Sequence, residues 1–138
     1  MPFRLDHIQS FAMVQGSKVT LFDTDLDIPE GLSTLEGDLR RIGRSLADID
    51  RIFLTHYHAD HCGLAGRLKE LSGARIYLSA DDDAAIRSQN RTEELFGRLR
   101  TFCREHDFPG ELLSPLQELH TYFTRVTFPF EVDEYLAP

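Results

Sequence analysis

Residues 51–63, with the sequence RIFLTHYHADHCG, join a short apolar run to a dense group of side chains that commonly bind metal ions. The run from Arg51 to Leu54 predicts a short buried strand. Four residues of metal-ligand type follow within six positions: His56, His58, Asp60 and His61. Gly63 and Gly66 are expected to let the next helix approach the metal loop and the sheet closely. Together these features predict a metal centre directly after a buried strand.

The spacing of the four residues favours two adjacent metal ions. His56 and His58 are two positions apart, and such residues project to the same side of an extended chain, so both rings can bind one ion. Asp60 and His61 lie where the chain turns into a helix, and they can face a second ion. Paired ions about 3.5–4 Å apart generate a bridging hydroxide near neutral pH. Residues 55–63 therefore predict one half of a two-metal hydrolytic site, with Asp60 as its catalytic residue.

The rest of the chain predicts alternating strands and helices. The expected order up to residue 79 is strand, strand, helix, strand, helix, strand, over residues 8–14, 18–22, 30–45, 51–54, 63–71 and 74–78. Such an order is typical of an α/β layer structure in which helices connect the strands of a mixed sheet. Three more helices are predicted over residues 81–87, 93–106 and 112–122. The tail, residues 126–138, resembles a loop or the start of a new strand.

The composition excludes several classes of protein. With 138 residues, 41% of them hydrophobic and 28% charged, the chain suits one globular domain with one core. A net charge of −8 makes nucleic acid an unfavourable partner. No apolar run approaches the ~20 residues of a membrane span, and the N-terminus lacks the pattern of a signal peptide, so we expect a cytoplasmic protein. Cys62 and Cys103 predict free thiols, although Cys62 is also a potential soft metal ligand.

Residues 55–63 resemble the signature of the metallo-β-lactamase superfamily. The upstream stretch Leu21-Phe22-Asp23-Thr24-Asp25 is similar to the family's strand that ends in Asp-Thr-Gly, and residues 8–79 as a whole match the family's N-terminal half. The resemblance implies an α/β fold that is half of an αββα sandwich, with flanking helices and a helical C-terminal insertion. It also implies a metal-dependent hydrolase.

The same resemblance assigns roles to individual residues. It implies that His56 and His58 bind the first metal and that Asp60 and His61 bind the second. Asp23 corresponds to a buried carboxylate beneath the family's site, which orients a metal ligand. One departure is Asp25, which stands where the family usually has glycine. Either a tight turn is strained at that residue or the turn has a different form here.

A second departure concerns the later metal ligands. The family completes its site with a histidine after a Pro-Gly turn, a bridging aspartate and a final histidine. Only His106 and His120 follow His61 here, and both lie in predicted helices without a preceding glycine. We therefore expect residues 1–138 to be a single incomplete domain. Its expected parts are a motif-bearing part at 1–79, a helical insertion at 80–125 and the start of a missing second half at 126–138.

The favoured function is dinuclear metal-dependent hydrolysis of a small-molecule ester, thioester or lactone by the parent protein. Two zinc ions are the expected cofactors, and iron or manganese suits the same ligands. One alternative is a non-catalytic metal-binding or interaction fragment, and another is a mononuclear iron dioxygenase-type member. Because half a sandwich leaves one face of its sheet uncovered, we expect the chain to pair with a second copy or with the missing C-terminal half.

Overall fold

A computed structural model describes residues 8–89 and 92–137 and contains a five-stranded mixed sheet with flanking helices. The strands lie side by side in chain order: β1 (Phe11–Gln15), β2 (Lys18–Phe22), β3 (Ile49–Phe53), β4 (Arg75–Ser79) and β5 (Glu134–Leu136). β1 and β2 form an antiparallel hairpin, whereas β2 to β5 run parallel to one another. The expected α/β fold with a mixed sheet is confirmed.

Helices connect the parallel strands. They are α1 (Pro29–Arg41), α2 (Ala59–Cys62), α3 (Ala65–Ser72), α4 (Ala80–Gln89), α5 (Thr92–Glu105) and α6 (Leu113–Arg125). Short 3-10 turns precede β3 and α6, at Leu46–Asp48 and Gly110–Leu112. The predicted alternation of strands and helices is therefore confirmed, with some changes at the boundaries. No helix in the described ranges is both long and apolar enough to cross a membrane.

The first change is that α1 ends at Arg41, although a helix was expected over residues 30–45. Gly43 adopts a left-handed conformation with φ 72°, and its N–H donates to the carbonyl of Arg40. The N–H of Arg44 reaches back to the carbonyl of Leu39 at 2.9 Å. This arrangement caps the helix and turns the chain toward β3.

The second change concerns the expected helix over residues 63–71, which is present as α3 and begins two residues later. A short additional helix, α2, precedes it. The N–H groups of His61 and Cys62 donate to the carbonyl of His58, which starts α2 directly after the loop of residues 54–58. The N–H of Leu64 then donates to the carbonyl of Asp25 at 2.7 Å. Because that amide bonds outside the helix, the helical hydrogen-bond pattern is interrupted between α2 and α3.

The core lies between the sheet and its helices. Alternate strand residues point inward, including Leu21, Ile52 and Ile76, and they meet Leu39 of α1 and Leu68 of α3. All five side chains are at most 1% exposed. Burying one such side chain stabilises a protein by roughly 1.5–3 kcal/mol, so this layer fixes where the strand ends lie.

The opposite face of the sheet carries a row of aromatic side chains, which we call the aromatic row: Phe11, Phe22, Phe53 and Tyr77. These residues are register partners on neighbouring strands. The rings of Phe22 and Phe53 stack with centroids 5.5 Å apart, and those of Phe53 and Tyr77 stack at 4.4 Å. Phe11 at the end of the row is 65% exposed. The sheet thus presents apolar surface on the side away from the helices.

The tail after α6 returns to the sheet as a loop followed by β5. The loop, residues 126–130, crosses α2 and α3 closely, because Cβ atoms added at Gly63 and Gly66 would lie 2.7 Å from the Val126 carbonyl oxygen and 2.3 Å from that of Pro129. The two glycines were expected to permit approach to the metal loop and the sheet. Gly63 does permit a close approach to the turn after β2, because its added Cβ would lie 2.7 Å from the Asp25 carbonyl oxygen. Both glycines also admit the returning loop, which the spacing of the glycines does not reveal.

Candidate metal centre

The carboxyl ends of β2, β3 and β4 meet at one edge of the sheet. Asp23 follows β2, the loop of residues 54–58 follows β3, and α4 follows β4. Because parallel strands present their carboxyl ends at the same edge, segments far apart in the chain meet there. We call residues 54–58 the metal loop.

The four ligand-type side chains of the motif lie together at this edge. Nε2 of His56 is 3.0 Å from Nδ1 of His58. The ring centroids of His56 and His61 are 4.1 Å apart, and Nε2 of His61 lies 3.5 Å from Oδ2 of Asp60. The structure therefore brings together the four residues that the sequence predicts as ligands.

Asp23 supports this group from beneath. Asp23 is buried, with only 7% of the residue exposed, and its Oδ1 accepts the N–H of Thr55 at 2.7 Å. Oδ2 lies 2.9 Å from Nδ1 of His61. A carboxylate at that position favours the tautomer with hydrogen on Nδ1, which leaves Nε2 of His61 available as a ligand.

The turn after β2 is fastened to α2 by backbone hydrogen bonds. The N–H and hydroxyl of Thr24 both donate to the carbonyl of His61, at 2.7 and 2.9 Å. The left-handed residue of this turn is Asp23, with φ 59°. Asp23 and Asp107 are the non-glycine residues with positive φ in the described ranges, so Asp25 is not strained in that way. The left-handed strain considered for Asp25 is therefore carried by Asp23.

Asp25 itself lies near the motif. Its carboxylate accepts the N–H of Leu26 at 2.6 Å. Burial raises the pKa of Asp25, the Leu26 N–H opposes that rise, and repulsion from Asp60 adds to it. The site therefore concentrates acidic groups, an environment that attracts cations.

Asp82 on α4 holds the metal loop from a second side, which the sequence analysis missed. Its Oδ1 accepts the N–H of Tyr57 at 3.2 Å, and its backbone N–H donates to Oγ of Ser79. The Ser79-x-x-Asp82 spacing is a helix-start pattern and offers a local signal for the start of α4. It gives no indication that Asp82 also reaches Tyr57.

The direction of the pKa shift differs between His56 and Cys62. Burial, followed by the neighbouring His61 and His58, lowers the pKa of His56 and favours the neutral ring that metal ions require. Burial raises the pKa of Cys62 to about 12. The Cys62 thiol donates to the carbonyl of Tyr57 at 3.2 Å, so its position is that of a buried structural thiol and not of a soft ligand. Cys62 and Cys103 are both free thiols, as expected.

The four ligand-type side chains can bind metal ions as two pairs, but not as one group of four. Two ring nitrogens 3.0 Å apart, as in His56 and His58, can be bound by one ion at ~2.0–2.1 Å from each. Within residues 8–89 and 92–137, no three His, Cys, Asp or Glu side chains are arranged as one metal-binding group. Each ion would therefore need further ligands besides the pair His56 and His58 or the pair Asp60 and His61.

The two later histidines lie outside this group. His120 is on α6, where its ring meets that of Phe96 with centroids 5.5 Å apart. His106 lies at the end of α5 against the ring of Phe102. His120 nevertheless lines the same cavity as His58 and Asp60, whereas His106 does not.

Comparison with known proteins places these features in a family context. Residues 4–94 match the family described as the metallo-beta-lactamase superfamily. The chain is 38% identical over 52 residues to the probable metallo-hydrolase YqjP of Bacillus subtilis, a match that covers 38% of this chain and 16% of that protein.

Solved structures give the same picture. A metallo-beta-lactamase family protein from Thermus thermophilus aligns with TM-score 0.67 and 28% identity over 86% of this chain and 39% of its own. A Cronobacter sakazakii metallo-beta-lactamase mutated in its HARLDQ motif aligns with TM-score 0.50 and 31% identity over 54% of this chain and 29% of its own. The chain thus spans less than half the length of each of these relatives.

Proposed function

Because the chain belongs to the metallo-beta-lactamase superfamily of metallo-hydrolases, we propose that residues 55–63 bind metal in a site that hydrolyses an ester, thioester or lactone. The observation that carries the proposal is the convergence of His56 and His58, whose ring nitrogens are 3.0 Å apart, beside the pair Asp60 and His61. This grouping lies at the carboxyl edge of a parallel sheet, where α/β proteins commonly bind their ligands.

The residues of this site would have different roles. His56 and His58 would hold one ion and Asp60 and His61 a second, while Asp23 fixes the ring of His61 through Nδ1. Asp60 would also orient the attacking water with its carboxylate, which makes it the catalytic residue. Two bound ions, with zinc expected and iron or manganese suitable, would supply an ionised water near neutral pH and stabilise charge on the carbonyl oxygen.

The overall reaction adds one water across the acyl bond of the substrate. The water oxygen forms a bond to the carbonyl carbon, and the bond from that carbon to the ester oxygen or thioester sulfur breaks. The leaving oxygen or sulfur takes up a proton, so the products are a carboxylic acid and an alcohol or thiol. The residues named above account for metal binding and orientation in this scheme.

The remaining ligands of each ion belong to the proposal as well. We expect them from water, from a second copy of the chain or from additional protein segments. The chain covers 39% of the Thermus thermophilus protein, so the activity of a whole protein of that length is part of the proposal.

Metal stoichiometry tests the proposal. The 138-residue protein is loaded with zinc, dialysed and measured by elemental mass spectrometry, alongside His56→Ala and the control His106→Ala. We expect about two ions per chain for the wild type and the control, and loss of metal in His56→Ala. Equal retention in all three proteins would reject the site. No metal in any of them would mean that these four residues cannot hold an ion without ligands from an additional protein segment.

The same preparations separate the two alternatives. Retention of metal without hydrolysis of any ester, thioester or lactone would favour a non-catalytic metal-binding protein. A single iron per chain, with consumption of dioxygen, would favour the mononuclear dioxygenase type instead.

A further inference from the structure

A cavity of about 460 Å³ opens beside the metal loop. Tyr57 and His58 line it on the side of the metal loop. Ile86 of α4, Phe123 of α6, Phe128 and Phe130 form much of the rest of the lining. Its volume lies within the range of roughly 300–1,000 Å³ that is typical of small-molecule sites. A ligand group in this cavity would therefore lie directly against His58 and Asp60.

The lining of the cavity favours an apolar ligand group. Among its described lining residues there is no lysine or arginine, and Asp60 is an acidic one. Aromatic and aliphatic side chains form most of its surface. A neutral apolar group would bury its surface favourably against these side chains.

The side of the cavity formed by Phe128 and Pro129 is held in a fixed position. Pro129 and Phe128 lie against Gly66 so closely that no side chain fits between them. The guanidinium of Arg67 lies 4.6 Å from the centre of the Phe128 ring, and it pairs with Asp27 through two hydrogen bonds. The cavity is therefore preformed, which lowers the entropic cost of binding a ligand.

We infer that this cavity holds the neutral apolar acyl group of the substrate, about the size of a medium-length alkyl chain, with the scissile carbonyl at His58 and Asp60. The inference rests on the proposed hydrolysis, because it uses the same site. In the reaction the acyl group leaves as the carboxylic acid after water adds to its carbonyl carbon. The alcohol or thiol, which takes the proton, points away from the cavity.

A binding experiment tests the cavity without any metal. The metal-free 138-residue chain is titrated with neutral 1-butanol, 1-hexanol and 1-octanol and followed by NMR. We expect saturable shifts in Phe123, Phe130 and Tyr57, with affinity rising about fourfold for each added methylene group. Unsaturable shifts, or shifts confined to other residues, would overturn the assignment.

Two threonines of α6 offer a matched pair of variants. Both are exposed and donate their hydroxyl to the carbonyl four residues earlier, at 2.9 Å for Thr124 and 2.8 Å for Thr121. Thr124 lines the cavity and Thr121 does not. We expect Thr124→Trp to weaken 1-octanol binding at least tenfold and Thr121→Trp to leave it unchanged. Thr124→Glu, matched by Thr121→Glu, replaces the tryptophan variants if these do not fold, because a charged group at the cavity opposes burial of an apolar ligand. Equal affinities in the variants at both positions would refute the inference.

Hydrolysis measurements separate this inference from the proposed function. Metal-loaded wild-type protein is assayed on thioesters with acyl chains of two to eight carbons. Rising kcat/KM with chain length, reversed by the Thr124 variant alone, supports the inference. Activity that is independent of chain length would overturn the acyl assignment and leave the hydrolytic proposal intact. Saturable 1-octanol binding without hydrolysis of any substrate would reject the proposed function while the cavity remains a site for neutral apolar ligands.

Discussion

Oδ2 of Asp23 lies 2.9 Å from Nδ1 of His61, so a residue at the end of β2 fixes the ring of a residue on α2. The same carboxylate also accepts the N–H and hydroxyl of Thr55. One buried side chain thus links the turn after β2, the metal loop and α2. This arrangement makes Asp23 the first residue whose removal should reveal how the site is held.

Asp23→Asn should weaken metal binding without removing a proposed ligand. The amide is neutral and no longer fixes the tautomer of His61, and such supporting changes cost roughly 10–100-fold in metal affinity. Competition against a chromophoric chelator measures the dissociation constant. Asp38→Asn, on the exposed face of α1 where Asp38 pairs with Arg41, is the control and should bind like the wild type. Unchanged affinity in Asp23→Asn would contradict the supporting role.

Asp82→Ala should loosen the metal loop. It removes the acceptor for the Tyr57 N–H and the hydrogen bond from Ser79 Oγ, so His56 and His58 lose their fixed orientation. We expect about a tenfold loss in metal affinity. The neighbouring exposed residue provides the control Asp81→Ala. Equal affinities for these two variants would mean that α4 does not position the loop.

Gly66→Ala should destabilise the protein. The added Cβ would lie 2.3 Å from the Pro129 carbonyl oxygen and 2.9 Å from that of Phe128, so the backbone of the returning loop must move. Overpacking of this kind costs about 1–3 kcal/mol. Gly37 of α1 has no atom within 4 Å of its added Cβ, and Gly37→Ala should stabilise the helix by roughly 0.5–1 kcal/mol. Chemical denaturation measures both, and a stabilising Gly66→Ala would refute the close approach.

Asp133→Asn should change how stability depends on pH. Partial burial favours the protonated form of Asp133, but hydrogen bonds from the Ile76 N–H and Lys69 outweigh it and hold the pKa below its usual value of 3.8. A lowered pKa in the folded state stabilises the protein above pH ~4, and that contribution is lost as the pH falls through the folded-state pKa.

The variant should therefore be less stable than the wild type by about 1 kcal/mol at pH 7, and the gap should narrow at pH 3. Urea unfolding at the two pH values provides the measurement. Glu131→Gln, at an exposed position two residues earlier, should show no such dependence. If Asp133→Asn and the wild type differ by the same free energy of unfolding at both pH values, ionised Asp133 does not stabilise the fold through its hydrogen bonds.

The aromatic row should promote association through the open face of the sheet. Contiguous exposed apolar surface favours contact with a partner, and Phe11 is 65% exposed. Sedimentation at several concentrations should show self-association that Phe11→Ser weakens. Phe108→Ser, at another exposed phenylalanine (54%), is the matched control. A wild type that remains monomeric at all concentrations would contradict this expectation.

Local sequence patterns were enough to predict most of the strands and helices and the grouping of the four ligand-type residues. The strands and helices follow from hydrophobic periodicity, which is a property of short stretches of the sequence. The four ligand-type residues are also adjacent in the chain, so their grouping between His56 and His61 is a local property. Boundaries shifted where a backbone amide bonded elsewhere, as the N–H of Leu64 does to Asp25.

Tertiary structure alone decided how the site is supported and what lies beside it. Asp23 and His61 are 38 positions apart, and Tyr57 and Asp82 are 25 apart. They meet because parallel strands bring their carboxyl ends to one edge of the sheet. The cavity likewise arises where α6 lies beside the metal loop and the loop of residues 126–130 packs across Gly66. Sequence thus determined which chemical groups are available, whereas chain crossover and close packing determined which of them meet.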